Sequence, residues 1–383
     1  MTDTELPKSL RVFESVDDPR RVHATTLHNL MDIIAITIMA TLCGAANWVE
    51  IELWAKSKQK WLKTVLPLPH GIPSHDTISR VFAMLDPGQM VDAFTAWTSE
   101  LAQHIKGVVA LDGKSVRRSM STKDGRGPIH VVSAFAAESA LVLAQMKVED
   151  KSNEIIALPQ IIRMLDLQHC VVTVDAMGCQ VEVAKAVREQ QGDYMLHIKD
   201  NQPTLHQDAQ QLFEWALDPA LPRDQQIPWV ESETLDGEHG RIERRRCVAI
   251  EELDGIESSK RWPDVKSLWM IESERIVGTE TAIEHRYYVS SLPASSSEHA
   301  VRGNQVIRAH WGIENKVHWI LDVAMDEDIN RARIGHSAQN LAIIRKVVLN
   351  LLRKDTKSKG GVQARQKRAG WDHDYLLELL ALG

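Results

Sequence analysis

The sequence predicts an α/β protein: a mixed sheet flanked by helices, preceded by a helical N-terminal domain and interrupted by an all-β insertion. Three observations carry this. Apolar residues recur at helical spacing from about Arg20 to Leu101. From Lys106 the texture changes to short runs rich in Val and Ile, bounded by Gly, Pro and charged turns. From Ile227 to Leu292 β-like stretches follow one another with no helical pattern longer than two turns. At 383 residues, 44% hydrophobic and 25% charged, the chain is long enough for several cores and has a soluble protein's composition.

In the first segment, residues 27–42 and 49–66 read as apolar helices. The most apolar run, 30–45, carries Asp32 and is shorter than the ~20 residues that cross a bilayer, so it reads as a buried helix. In SHDTISRVFAML, Ser74 is the expected N-cap, and Ile78, Val81, Phe82 and Leu85 share one helical face. His75 and Asp76 read as surface residues of that first turn. The N-terminal stretch MTDTELPKSLRVFESVDDPRR is polar and acidic, without the apolar stretch of a secretory signal, so the expected location is the cytoplasm.

The core follows as strands GVVALD, IHVVSAF and LVLAQMKV, a helix over 154–165, the strand in HCVVTVDAMG, a helix over 180–190 and the strand YMLHIKD. This βββαβαβ order is the one used by ribonuclease-H-like domains. A helix over 204–216 leads into the β stretches IPWVESETL, GRIERRRCVAI, SLWMIESER and EHRYYVSSL. Helical periodicity returns at Arg302 and runs to Arg353. KDTKSKGGVQARQKRAG then reads as a mobile basic segment before a short terminal helix. The expected division is a helical N-terminal domain over 1–103, a catalytic core over 104–220 and 299–353, a β-rich insertion over 221–298, and a basic tail over 354–383.

A net charge of −7 does not favour a nucleic-acid partner, because phosphate contacts supply most non-specific affinity. Local charge points the other way. Between Leu341 and Gly370, nine basic side chains (Arg345, Lys346, Arg353, Lys354, Lys357, Lys359, Arg365, Lys367, Arg368) face one acidic, Asp355. A second cluster sets Lys114, Arg117, Arg118, Lys123 and Arg126 against Asp124. Cys43, Cys170, Cys179 and Cys247 show no CxxC spacing and read as buried thiols.

Asp112 ends GVVAL and Asp175 ends VVTV. Carboxylates at neighbouring strand ends are a common place for a metal site, because ligands gather at the carboxyl edge of such a sheet. Either Asp alone reads better as a strand-ending turn former or N-cap; the pair together points to a site. Two hard divalent cations need more than two aspartates, and Glu314 in IRAHWGIENKVHWILDV is the best third ligand. Helical spacing places His310, Glu314 and His318 on one face, which also permits a zinc reading, though without the His-Glu-x-x-His pattern. Asp322, Asp326 and Asp328 are alternative carboxylates. Lys199 and Asn201 in HIKDNQ suit either a phosphate contact or a polar turn, Lys114 is placed to steer substrate, and Glu154 reads as a helix-opening residue favoured by the macrodipole.

The stretches LDGKSVRRS, IHVVSAF, DKSNEI, VTVDAMGCQ, HGRIERRR and IRAHWGIENKVHWILDV, in this order, resemble the H-repeat-associated branch of bacterial insertion-sequence transposases, from about Asp18 to Arg353. The resemblance implies a DDE transposase with a ribonuclease-H-like core, whose carboxylates fall on Asp112, Asp175 and Glu314. It implies two Mg²⁺ or Mn²⁺ ions as cofactors, double-stranded DNA as partner and substrate, and a homodimer on that DNA. It also accounts for the β insertion before the Glu-bearing helix. The wider signature of Tyr, Arg, Glu and Lys along that helix is kept only at Glu314; Ile307, His310 and Leu321 stand at the other positions, with Arg308 and Lys316 one helical step away as replacements. A nuclease of the same fold without strand transfer, or a DNA-binding relic, would share much of this pattern.

Overall fold

Val- and Ile-rich runs become strands because branched side chains pack well on a pleated surface. A computed structural model describes residues 6–21, 26–102, 105–120, 127–148, 153–222, 226–238, 241–277 and 280–383. Its strands are β1 (Gly107–Val116), β2 (Ile129–Ala136), β3 (Leu141–Val148), β4 (Cys170–Val174), β5 (Asp193–Ile198), β6 (Trp229–Glu238), β7 (Arg241–Ile250), β8 (Ser267–Val277) and β9 (Glu280–Ser290). They form one sheet in the order β3-β2-β1-β4-β5-β9-β8-β7-β6. The β1–β4 and β4–β5 pairs are parallel; the others are antiparallel.

The helices before the sheet are α1 (Lys8–Arg11), α2 (Leu30–Leu42), α3 (Trp48–Ser57), α4 (Gln59–Leu62), α5 (His75–Met84) and α6 (Pro87–Leu101). Ser74 Oγ accepts a hydrogen bond from the Thr77 amide, so it caps α5. Asp32 is buried in α2 and accepts from the Leu68 amide and the Asn29 side chain, which satisfies the one carboxylate in that apolar run. Within the sheet region lie α7 (Glu154–Arg163), α8 (Val181–Glu189) and α9 (Pro203–Ala216). They bury Ala157, Leu158, Ile161, Val183, Val187 and Phe213 on one sheet face.

The opposite face receives α10 (Ser297–His310), a π-helical turn (Glu314–His318), α11 (Trp319–Ala324) and α12 (Ser337–Lys354). Gly303 lets α10 come down on β8: a Cβ there would lie 2.1 Å from the Trp269 ring. The edge strand β3 is covered by α6 and α12, with Asn350 both accepting from and donating to the Val142 backbone and Thr98 donating to the Leu143 carbonyl. Covering an edge removes a pairing hazard.

Two expectations need correction. The stretches in 221–298 are all-β as expected, yet they do not stand apart: β9 pairs with β5, and Val248, Ile250, Leu268, Met270 and Val289 share the core under α7, α8 and α9. The insertion prolongs the core sheet. The basic segment is not a free tail either, because α13 (Val362–Trp371) and α14 (His373–Ala381) pack Ala369, Tyr375, Leu376, Leu379 and Leu380 into one core with Leu10, Phe13, α2 and α12. The leucines belong to α14, the expected terminal helix; the difference lies in the basic stretch before it, which forms α13 and buries Gln366 and Ala369. No helix among the described residues is long and apolar enough to cross a membrane.

Candidate active site

The parallel ladder between β1 and β4 ends at Leu111 opposite Val174, so Asp112 and Asp175 emerge side by side where it stops. β1 itself continues to Val116 because β2 goes on pairing with it. The parallel ladder ends just before Asp112, and the strand does not. Glu314 arrives from the other side of the chain order, at the start of the π-helical turn. Such turns insert one residue into a helix and recur at functional sites. His310 Nδ1 lies 3.0 Å from Thr173 Oγ1 and lines the same cavity as Glu314, while His318 Nδ1 stands 3.4 Å from Asp112 Oδ2.

Asp112, Asp175 and Glu314 line one cavity of about 360 Å³. Burial, with the negative charges of Asp175, Glu154 and Glu314 behind it, pushes the Asp112 carboxyl up to about 7. Burial together with Lys114 and Lys346 pushes His318 down to about 4, so it faces Asp112 as a neutral imidazole near pH 7. Among the described residues no three His, Cys, Asp or Glu side chains are drawn together as a preformed cage for an ion. Mg²⁺ does not need a cage, because it keeps several waters and binds through one or two carboxylates plus substrate phosphates. Oxygen donors from three carboxylates facing one cavity fit such a cation.

The cavity also shows residues that the sequence reading missed. Glu284, Arg286 and Tyr288 of β9 form part of its wall, and the Arg286 guanidinium is paired with both Glu284 oxygens and lies 5.4 Å from the Trp311 ring centre. The period-two alternation in EHRYYVS already put these three on one strand face. What hid them was the assumption of a separate insertion.

The nominated basic residues scatter. Lys199 lines the cavity and is exposed, and Lys316 is exposed beside Glu314. Arg308 is largely exposed and paired with Asp236, and Arg117 is exposed with Asp328 nearby; Arg118 is exposed too. Asn201 instead donates to the carbonyls of Ala176 and Cys179, tying down the loop that follows Asp175. Lys114 is a correction: it is paired with Asp322 and Glu327, and although burial works against its charge, these partners hold the ammonium above its usual range. Arg345 and Lys346 are corrections as well. They are 2% and 3% exposed on the inner face of α12, where Arg345 donates to the Met325 carbonyl and Lys346 to Gln145. A linear charge count cannot tell that α12 turns both inward. Lys123, Asp124 and Arg126 lie outside the described residues. Ile307 and Leu321, at the departures from the wider helix signature, are buried packing residues.

A mixed sheet of this topology with carboxylates at the β1/β4 junction is a ribonuclease-H-like fold. The transposase DDE domain model matches residues 103–351, and the DDE_Tnp_1-associated model matches residues 10–98. YncI of Escherichia coli O157:H7, which carries a provisional transposase name, is 36% identical over 98% of this chain and 95% of its own length. YhhI of Escherichia coli K12, provisionally named an H repeat-associated transposase, is 34% identical over 98% of each chain. A solved piggyBac transposase synaptic complex with hairpin DNA aligns at TM-score 0.47 and 11% identity, over 97% of this chain and 79% of that one, too remote to carry weight. The chain belongs to the DDE transposase family, and its relatives include H repeat-associated members.

Proposed function

We propose that this protein cuts DNA at the ends of an insertion sequence and joins the freed 3′-OH to target DNA, using Asp112, Asp175 and Glu314 with Mg²⁺ or Mn²⁺, as a dimer on the DNA. The observation that carries this reading is that three carboxylates far apart in sequence line one cavity. Bound divalent ions would supply charge neutralisation for the attacking and leaving oxygens of the phosphodiester. The protein's part is placement. Asp112 and Asp175 are fixed by strand register, Glu314 by the π-helical turn, and His318 stands beside Asp112 to orient it. Lys199 and Arg286 at the cavity wall suit the phosphates on either side of the scissile bond, and Arg117, Arg118, Arg308 and Lys316 suit contacts further out. The helical N-terminal domain suits recognition of the element end.

The test uses a labelled duplex carrying the element's terminal sequence, with a plasmid target and with Mg²⁺, Mn²⁺ or EDTA. Nicked ends and joined products, both lost in EDTA, are expected. Nicking without joining would instead define a nuclease, and binding without any cut would define a DNA-binding relic.

A further inference from the structure

Beneath Asp112 lies a polar chain in an otherwise apolar core. Glu154 and His130 are each 3% exposed. Glu154 Oε2 stands 3.2 Å from His130 Nε2, and His130 Nδ1 lies 2.9 Å from Ser115 Oγ. The chain therefore runs from α7 through β2 to β1. The same three elements contribute Leu111, Val132, Ala157 and Leu158 to one apolar core.

Burying a carboxylate is costly, and an ion pair inside a core can often be replaced by apolar groups without loss of stability. Packing alone gives little reason to keep one here. Position gives a better reason. A Cβ on Gly113 would lie 2.3 Å from Glu154 Oε1 and 2.5 Å from His130 Nε2, so the residue after Asp112 has no side chain where this pair presses against the strand. The Glu154 carboxylate therefore lies against the backbone of the residue next to Asp112.

We propose that Glu154, held by His130 and Ser115, is a positioning residue of the carboxylate site: it fixes the β1 segment that bears Asp112 and adds negative potential behind it, strengthening divalent-cation binding. This rests on the assignment of Asp112, Asp175 and Glu314 as cation ligands. Outer groups of this kind typically change metal affinity by 10–100-fold when removed. Gly113 is the device that lets the pair approach, which gives a second, independent handle.

The test titrates Mn²⁺ into the full chain without DNA, reading binding by calorimetry and by water-proton relaxation, for the parent, Glu154→Gln, Gly113→Ala and Asp112→Asn. Glu154→Gln keeps the side chain's size and a hydrogen-bonding partner for His130. It is expected to bind Mn²⁺ about tenfold more weakly, with DNA cleavage recovered as Mn²⁺ is raised. Gly113→Ala is expected to weaken binding in the same direction by displacing the pair. If Glu154→Gln lowers the melting temperature but binds Mn²⁺ like the parent, the role is structural and the proposal is overturned. Should that variant not fold, Gly113→Ala decides by the same affinity comparison. Equal binding by Asp112→Asn and the parent would overturn the carboxylate site itself. Loss of binding in Asp112→Asn with parental binding in Glu154→Gln would overturn only this inference.

Discussion

At the scale of single residues, Asp112 is a carboxylate in a place that does not favour its charge. Its ordinary value near 3.8 is raised to about 7, by burial first and then by Asp175, Glu154 and Glu314. Between those two values the folded chain keeps a proton that the unfolded chain has released. That proton-linked stability is present at low pH and is lost as the pH rises towards 7, above which ionised Asp112 opposes folding. In EDTA, Asp112→Asn is therefore expected to melt higher than the parent, with a gap that widens between about pH 4 and pH 7 and levels off above. Saturating Mg²⁺ should close the gap from the parent's side only. Parallel melting curves across that range would contradict this account of the carboxylate cluster. Asp112, Asp175 and Glu314 could be nominated from the sequence, because each ends an apolar run or sits in a helix with a recognisable neighbourhood, and the fold brings the three to one cavity. Glu154 was not: a helix-opening Glu is so often a surface residue that only its burial against His130 distinguishes it.

At the scale of elements, two strand ends and one helical turn must meet, and the meeting depends on how α10 seats on the sheet. Gly303 sits against Trp269, which is fully buried and donates its indole N–H to Ser267. Gly303→Ala would force either the helix or the ring to move, at a cost of about 1–3 kcal/mol. It should reduce DNA cleavage more than DNA binding, because α10 leads directly into the turn that bears Glu314; denaturant unfolding and cleavage rates measured together would check this. A variant with parental stability and parental cleavage would show that the seating is loose. The element order was readable from periodicity, since strands and helices here carry clean patterns. The joining of β9 to β5 was not, because strand pairing across about ninety residues leaves no local mark. That single pairing brings Glu284, Arg286 and Tyr288 to the site.

At the scale of the whole molecule, one core unites the N-terminal helices, α12, the terminal helices and the sheet face behind the carboxylates. Buried charges stitch it further: Glu327, 1% exposed, pairs with Lys114 from β1 and carries the charge that faces Lys346 from α12. Burial leaves Lys346 at about 8, so its ammonium depends on that carboxylate. Deleting α13 and α14 removes Tyr375, Leu376, Leu379 and Leu380 from this core, each worth roughly 1.5–3 kcal/mol when fully buried. Truncation after Lys354 is thus expected to lower the melting temperature sharply and to expose dye-binding apolar surface. A merely detachable basic tail would leave both unchanged while weakening DNA affinity. The central claim is that the three gathered carboxylates form one metal-dependent DNA-cutting site. Its most direct test is cleavage of a labelled terminal duplex by the parent and by Asp112→Ala, Asp175→Ala and Glu314→Ala, each with Mg²⁺ and with EDTA. The account predicts Mg²⁺-dependent cutting by the parent alone, with all three variants folded, DNA-binding and at background. Cutting at the parental rate by any one of the variants would contradict it.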